Sequence, residues 1–177
     1  MTRPLPADAP WPHPACGEED ALHRQCDERR TRGSGPGGQH RNKVETRVVL
    51  THRTTGVEAA AGERRSQSEN RRVALRRLRF ALALVVRTDP ARLPPRSALW
   101  RRRCRGGRIA CADDHADLPS LLAEALDELA AAGWDARAAA GRLDCSPTQL
   151  VRLLGRHPPA LALLNARRAA AGLFPLR

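Results

Sequence analysis

A seven-residue run with four glycines, Gly33-Ser34-Gly35-Pro36-Gly37-Gly38-Gln39, constrains this chain more than any other stretch. Glycine lacks a Cβ atom, so its backbone adopts conformations closed to other residues and lets a partner approach closely. Gln39 is the long polar side chain at the end of the run, and His40-Arg41-Asn42-Lys43 follows it. The pattern predicts a loop that presents backbone N–H groups and one amide to a reacting centre.

Two phosphate-binding motifs resemble this run and are excluded by its surroundings. Gly33, Gly35 and Gly38 fit the G-x-G-x-x-G spacing of dinucleotide-binding loops, which need a buried apolar strand before them and a helix after them. The preceding residues 26–30 are too polar, and the residues after the loop predict a strand. A Walker A loop is excluded because no Gly-Lys-Ser/Thr follows.

Charge divides the chain into three parts. Residues 29–108 hold 22 Lys and Arg against 5 Asp and Glu, a net charge of +17, whereas residues 1–28 carry −4 and residues 109–177 carry −1. The strongly basic part contains the glycine-rich run, and such a charge favours a polyanionic partner. We therefore expect contact with nucleic-acid phosphates.

Composition predicts a cytoplasmic protein with no cofactor, metal or membrane partner. The first fifteen residues are proline-rich and lack the apolar core of a signal peptide, and no apolar run is long enough to span a membrane. Five cysteines without a CxxC pair favour reduced thiols. Cys104, Cys111 and His115 are conceivable zinc ligands, but six residues between the two cysteines is an unusual spacing for zinc.

Patterning of the basic part predicts strands and one long helix. We expect a short helix, an edge strand, a two-stranded hairpin and the long helix at residues 18–24, 26–32, 46–61 and 66–86. Ser66 and Glu69 fit the capping box that begins a helix. An apolar stripe on the long helix leaves its remaining surface to five arginines: Arg71, Arg72, Arg76, Arg77 and Arg79. These arginines either contact phosphates, which we favour, or form a solvated face.

The last third of the chain predicts a helical module. A helix begins at Leu118 and ends near Gly133, and two short helices at residues 135–142 and 146–154 have Asp135 and Ser146 as N-caps. A final helix at residues 159–171 ends at Gly172. The two short helices and their turn fit either a helix-turn-helix or a generic helical hairpin, and the near-neutral charge argues against strong DNA binding.

The segment from Gly33 to Lys43 resembles the catalytic loop of class I peptide chain release factors, which carries the same Gly-Gly-Gln tripeptide. A second block agrees with the family at similar distances: Thr55-Gly56 on the hairpin, Glu63-Arg64-Arg65-Ser66-Gln67, and Asn70-Arg71. The resemblance covers about residues 18–87. It implies a small mixed β-sheet packed on a long helix, with a projecting Gly-Gly-Gln loop. Together with the helical module that periodicity predicts after residue 118, the expected fold class is α+β with a small all-α C-terminal module.

We expect four parts along the chain. They are a flexible proline-rich tail (1–17), a release factor-like domain (18–90), a basic linker (91–117) and the helical module (118–177).

The resemblance implies hydrolysis of the ester that links a nascent peptide to tRNA, in the peptidyl transferase centre of the large ribosomal subunit. The implied partners are the ribosome, its RNA and peptidyl-tRNA. Gly37, Gly38 and Gln39 inherit the catalytic roles: the glycines let the backbone enter, the Gln39 N–H stabilises the oxyanion, and its side chain admits water. The family glutamine is often N-methylated, which implies a methyltransferase acting on Gln39.

RNA contacts are expected around this loop, at the start of the long helix and in the linker. The residues are His40, Arg41, Asn42, Lys43, Arg65, Gln67, Asn70, Arg71, Arg72, Arg101, Arg102 and Arg103. Arg41 departs from the family's frequent valine. His40 is not expected to be a general base, because the assisting groups in the family are mostly RNA.

Two functions remain open. We find no codon-reading segment and expect codon-independent release, as in ribosome rescue; the chain also lacks the basic C-terminal tail that short rescue relatives use. The alternative is a non-catalytic ribosome-binding or RNA-binding module with a regulatory role.

Overall fold

The computed structural model describes residues 3–4, 13–31, 46–88 and 96–177. The glycine-rich run and most of the proline-rich tail therefore lie outside the described residues. The strands are β1 (Arg3–Pro4), β2 (Cys26–Thr31), β3 (Arg47–His52), β4 (Glu58–Ala61), β5 (Val86–Arg87), β6 (Cys104–Arg105) and β7 (Arg108–Ile109). The α-helices are α1 (Glu19–Arg24), α2 (Gln67–Val85), α3 (Ala98–Arg103), α4 (Leu118–Ala131), α5 (Ala136–Arg142), α6 (Pro147–Gly155) and α7 (Pro158–Ala170).

The central sheet has the order β2-β3-β4 and is antiparallel throughout. Thr31 pairs with Arg47 at one end of the β2–β3 ladder, and Cys26 pairs with His52 at the other. The expected α+β class is confirmed, with β2 as an edge strand. The sheet itself is not mixed: both of its described pairings are antiparallel, and β1 pairs with β5 in parallel outside it.

Helix α2 joins the sheet to the helical module. Its apolar stripe, which includes Leu75, Leu78 and Leu82, is buried in the same core as Val48 and Leu50 of β3. The helix packs against β3, β4 and α4. The sequence prediction of an apolar stripe is confirmed, and one continuous core connects both halves of the chain.

Arg79 corrects the prediction of a solvent-facing or phosphate-contacting arginine. Its side chain is buried, with Nε donating to Ala15 O at 3.0 Å and Nη2 donating to Ser120 Oγ at 3.1 Å. The physical reason is that α4 and the segment before α1 cover a second side of α2, which an isolated apolar stripe does not reveal.

The described part of the expected linker, residues 96–117, contains α3 and the two-stranded β6–β7 hairpin. Trp100 of α3 is fully buried, and its indole N–H donates to Leu143 O at 2.8 Å. This segment therefore packs on the helical module, while the proposed division into domains stays a prediction.

The helix ends of the C-terminal module follow the sequence predictions. Asp135 accepts hydrogen bonds from the N–H groups of Arg137 and Ala138, and Ser146 accepts one from Gln149 N–H. Gly133 and Gly172, which follow α4 and α7, have φ angles of 62° and 73°, as glycine allows after a helix end. Within the described residues, no helix has the length and apolar character needed to cross a membrane.

Candidate nucleic-acid interface at the base of the glycine-rich segment

The two ends of the glycine-rich segment are held side by side. Thr31 ends β2, Arg47 begins β3, and the two are register partners in an antiparallel ladder. The candidates Gly37, Gly38 and Gln39, together with residues 40–43, lie between these ends and outside the described residues. The structure therefore defines what anchors this segment.

Asn70 anchors the side that leads into β3. Its amide nitrogen donates to Thr46 O at 2.7 Å and to Arg64 O at 2.9 Å, and its Oδ1 accepts from Arg64 N–H at 2.9 Å. The side chain is fully buried. An RNA contact at Asn70, as the sequence predicted, does not fit this arrangement, because the amide is enclosed and already bonded to the backbone.

Glu28 anchors the side that arrives through β2. Arg71 of α2 donates to both carboxylate oxygens of Glu28, from Nε at 2.7 Å and from Nη2 at 3.0 Å. Arg30 Nε donates to Oε1 at 3.1 Å, and His23 Nε2 lies 2.8 Å from Oε2. A single carboxylate thus ties β2 to α1 and α2.

This contact changes the charge of the site. The Arg71 guanidinium, with help from His23 and Arg30 and against the effect of burial, lowers the pKa of Glu28 from 4.5 to about 2. Glu28 is therefore ionised at neutral pH, but two guanidinium groups surround its one negative charge. The cluster keeps a net positive charge. Because Arg71 already donates two hydrogen bonds to Glu28, only part of its guanidinium group is available for an RNA phosphate.

Four exposed arginines lie on β3, on α2 and on the connection between β4 and α2. Arg65 and Arg72, both predicted from the sequence, are exposed, and so are Arg47 and Arg64. None of these four makes a side-chain ion pair within the residues that the structure describes. Gln67, also predicted, is half-buried as the first residue of α2.

Arg47 and Arg64 were missed by sequence reasoning but lie next to the anchors. Arg47 is the register partner of Thr31, and the backbone of Arg64 binds Asn70. A Cβ atom added to Gly62 would lie 3.1 Å from Arg47 Cβ, so β4 continues directly past this strand end. Their contacts with Thr31 and Asn70, which only the folded chain brings together, identify them.

The three linker arginines lie elsewhere. Arg101, Arg102 and Arg103 belong to α3, whose Trp100 is bound to the helical module. Arg101 and Arg102 are exposed, whereas Arg103 is half-buried and donates to Asp117 Oδ2 at 2.8 Å. Arg102 also contacts Asp117, at 3.3 Å.

An open concavity of about 660 Å³ adjoins the Glu28 cluster. Its lining residues are His23, Arg24, Cys26, Glu28, Arg30 and Arg71. Among the described residues, no three histidine, cysteine or acidic side chains are grouped closely enough to hold a metal ion. The surface suits an extended anion better than an enclosed small molecule, because it is basic and open.

Residues 22–100 match the family model described as the RF-1 domain. Residues 22–100 are therefore a class I release factor domain, which is a little under half of this chain. The match runs from Leu22 in the last turn of α1 to Trp100, so it includes the Gly-Gly-Gln tripeptide, the Glu28 cluster and Asn70. Residues 101–177, which include the whole helical module, lie beyond the matched release factor domain.

Relatives of the release factor domain carry the same assignment. Over 51 residues the chain is 53% identical to peptide chain release factor 1 of Ureaplasma parvum, covering 29% of this chain and 14% of that protein. Over 128 residues it is 36% identical to peptide chain release factor 1 of Frankia casuarinae, covering 62% of this chain and 36% of that one.

A shorter relative is covered more fully. An uncharacterised mitochondrial peptide chain release factor-like protein of Saccharomyces cerevisiae is 39% identical over 72 residues, covering 40% of this chain and 46% of that protein. The chain thus spans less than half the length of each of these three relatives. No solved structure matches the chain.

Proposed function

We propose that this chain hydrolyses the ester bond of peptidyl-tRNA on the ribosome without reading a stop codon, as in the rescue of stalled ribosomes. The supporting observation is the Gly37-Gly38-Gln39 tripeptide within a release factor domain, between strand ends that are register partners. Release factors as a family act on the ribosome and hydrolyse peptidyl-tRNA. The proposed site of action is the ribosomes of the cytoplasm.

The chemistry assigns distinct parts to the tripeptide. Ester hydrolysis passes through a tetrahedral oxyanion, which a positioned backbone N–H stabilises. The Gln39 N–H is the proposed donor, and its side chain is the proposed filter that admits water. Gly37 and Gly38 have no side chains to obstruct the approach of this backbone to an RNA-lined centre.

The basic surface supplies the proposed docking. His40, Arg41, Asn42 and Lys43 would contact RNA close to the reacting ester. Arg47, Arg64, Arg65, Arg71 and Arg72 would contact phosphates at the base of the segment, and Gln67 would lie beside them. Phosphate contacts supply most of the affinity of such a surface and make binding sensitive to salt.

We propose that the helical module, and not a stop codon, directs this chain to its ribosome. Residues outside the matched domain form α4–α7, which share a core with α2. We propose that this module and the arginines of α3 orient the release factor domain on the ribosome. A glutamine methyltransferase acting on Gln39 is a further proposed partner.

The deciding experiment measures peptide release from purified ribosome–nascent-chain complexes. The A site holds no codon, a sense codon or a stop codon in three parallel samples. Wild type is expected to release peptide from at least the empty complex, with no preference for the stop codon. A requirement for a stop codon would overturn codon independence, and tight ribosome binding without any release would favour the non-catalytic alternative.

Variants at Gln39 separate the backbone from the side chain. Gln39→Pro removes the backbone N–H and should lower the release rate about 100-fold or more, whereas Gln39→Ala retains the N–H and should keep most of the rate. Gly38→Ala tests whether the backbone at this position must approach the RNA closely, and it should lower the release rate. Gly35→Ala is the matched control outside the tripeptide and should lower the rate less. Equal rates for Gln39→Pro and Gln39→Ala would contradict the role of the N–H.

A further inference from the structure

The connection between α5 and α6 is a tight turn fixed by its backbone. Cys145 N–H donates to Ala140 O at 3.0 Å, and Asp144 N–H donates to Gly141 O at 3.3 Å. Asp144 has a φ angle of 54°, in the left-handed region. These paired bonds form a Schellman motif, so α6 leaves α5 in a defined direction.

A short arginine-bearing hairpin lies beside α6. Strands β6 and β7 are joined by Gly106 and Gly107, with φ angles of 56° and 74°, as a two-residue hairpin turn requires. Arg105 and Arg108 flank the turn and are register partners. Directly opposite residues of an antiparallel pair share a face, so both guanidinium groups extend from the same side of the hairpin.

The hairpin is attached to α6 and to the turn before it at one point each. Ile109 N–H of β7 donates to Gln149 Oε1 of α6 at 3.3 Å, and Gly107 forms a parallel bridge with Cys145 in the turn. Arg152 lies three residues after Gln149, one turn further along α6. The hairpin arginines and Arg152 therefore belong to one connected surface, which we name the α6–hairpin surface.

The three arginines of this surface are uncompensated. Arg105, Arg108 and Arg152 are exposed and make no hydrogen bond or ion pair with any part of the chain that the structure describes. Nearby carboxylates are occupied by other arginines, in the pairs Arg156–Asp113, Arg103–Asp117 and Arg96–Asp144. Asp114 is exposed and unpaired within the same described residues, which leaves three guanidinium groups against one carboxylate.

We propose that the α6–hairpin surface binds the phosphate backbone of double-helical RNA, as a second contact apart from the glycine-rich segment. The exposed residues of α6 are Pro147, Thr148, Arg152 and Gly155, which suit phosphates and sugar hydroxyls. Gln149, the one amide of the helix, is engaged with Ile109. An A-form major groove is too narrow to admit a helix, so backbone contact from outside is the available mode.

The net charge of the C-terminal part of the chain fits a second RNA contact that adds to the one made by the basic part. Residues 109–177 carry a net charge of −1, so this module does not bind a polyanion by bulk charge. Three localised arginines would add affinity and orientation to a chain whose basic part is itself proposed to bind RNA. The choice of RNA over DNA rests on the proposed ribosomal function. The proposal that this surface binds phosphates rests only on the arrangement of its arginines.

The test measures binding of the full chain to a fluorescently labelled RNA duplex of 20 base pairs by anisotropy, across a range of salt concentrations. Arg105→Ala/Arg108→Ala should weaken binding and reduce the slope of log K against log salt by about 2, one for each lost phosphate contact. The matched control is Arg137→Ala/Arg177→Ala, which removes the same charge from two exposed arginines elsewhere. That control should retain the wild-type slope to within about 0.5.

Further variants and probes separate the remaining outcomes. Arg105→Lys/Arg108→Lys retains the charge and should restore most of the binding, with thermal unfolding confirming that each variant folds. Equal losses for the test and control pairs, or no loss in either, would overturn the proposal, as would tighter binding to a DNA duplex of the same sequence. Because the glycine-rich segment is intact in every variant, failure here is distinct from failure of peptide release.

Discussion

Arg71 and Glu28, 43 positions apart, form a two-point contact that joins α2 to the strand entering the glycine-rich segment. The guanidinium fork matches the two carboxylate oxygens, which makes this geometry stronger and more directional than a single-point ion pair. Asn70, one residue earlier on α2, binds the opposite side of the segment through Thr46 O. Consecutive residues of one helix thus hold both ends of the proposed catalytic loop.

The Glu28 contact predicts a specific dependence of stability on pH. The pKa of Glu28 falls from 4.5 to about 2 on folding, so its ionised form is favoured in the folded state. The stabilisation is fully present above pH 4.5 and is lost as pH falls from there towards 2. At neutral pH, Glu28→Gln should lower the free energy of unfolding by about 2 kcal/mol, and the difference from wild type should shrink in acid.

Urea unfolding at intervals from pH 7 to pH 2.5 measures this dependence. Arg71→Met is the companion variant, because Arg71 is the largest cause of the lowered pKa. It should remove most of the same pH-dependent difference. A Glu28→Gln difference that stayed constant over the whole range would contradict the assignment.

Asn70→Ala should destabilise the chain and impair the proposed release. It leaves Thr46 O, Arg64 O and Arg64 N–H without their partner in a buried site, at an expected cost of about 3 kcal/mol. Glu69→Ala, on the exposed neighbour, should change stability by no more than about 0.5 kcal/mol. Chemical unfolding compares the two variants.

The release assay adds a second readout for Asn70. If Asn70 positions the start of β3, the rate per folded molecule should fall in Asn70→Ala and remain normal in Glu69→Ala. A normal rate per folded molecule in Asn70→Ala would limit the residue to a structural role.

Periodicity and end signals predicted the elements well but not the contacts between them. The apolar stripe located α2, and Asp135 and Ser146 located the starts of α5 and α6, because these signals depend on residues close together in sequence. Asn70 and Arg79 were assigned to the surface from local pattern. Their partners Thr46 and Ser120 lie 24 and 41 residues away, so only the folded chain reveals them.

Trp100 should prove to be a structural link between α3 and the end of α5. Trp100→Phe removes the donor to Leu143 O and leaves that buried carbonyl unpaired, at an expected cost of about 2 kcal/mol. Trp134→Phe is the matched control, since Trp134 is only half-buried and should cost less. Thermal unfolding compares the variants, and Trp100→Phe should also remove a blue-shifted component of the tryptophan emission, since Trp100 is fully buried. Equal losses of stability in the two variants would argue against the link.

The serines before α2 and α6 should differ in their value as N-caps. The sequence predicted a capping box at Ser66, but the Ser66 side chain does not cap α2 and its Oγ lies 2.7 Å from Ser68 Oγ. Ser146 Oγ accepts from Gln149 N–H at 3.2 Å. Ser146→Ala should therefore lower the free energy of unfolding by about 1 kcal/mol, and Ser66→Ala by less than about 0.5 kcal/mol. Urea unfolding at pH 7 measures both, and a larger loss for Ser66→Ala would show that Ser66 caps α2 in solution.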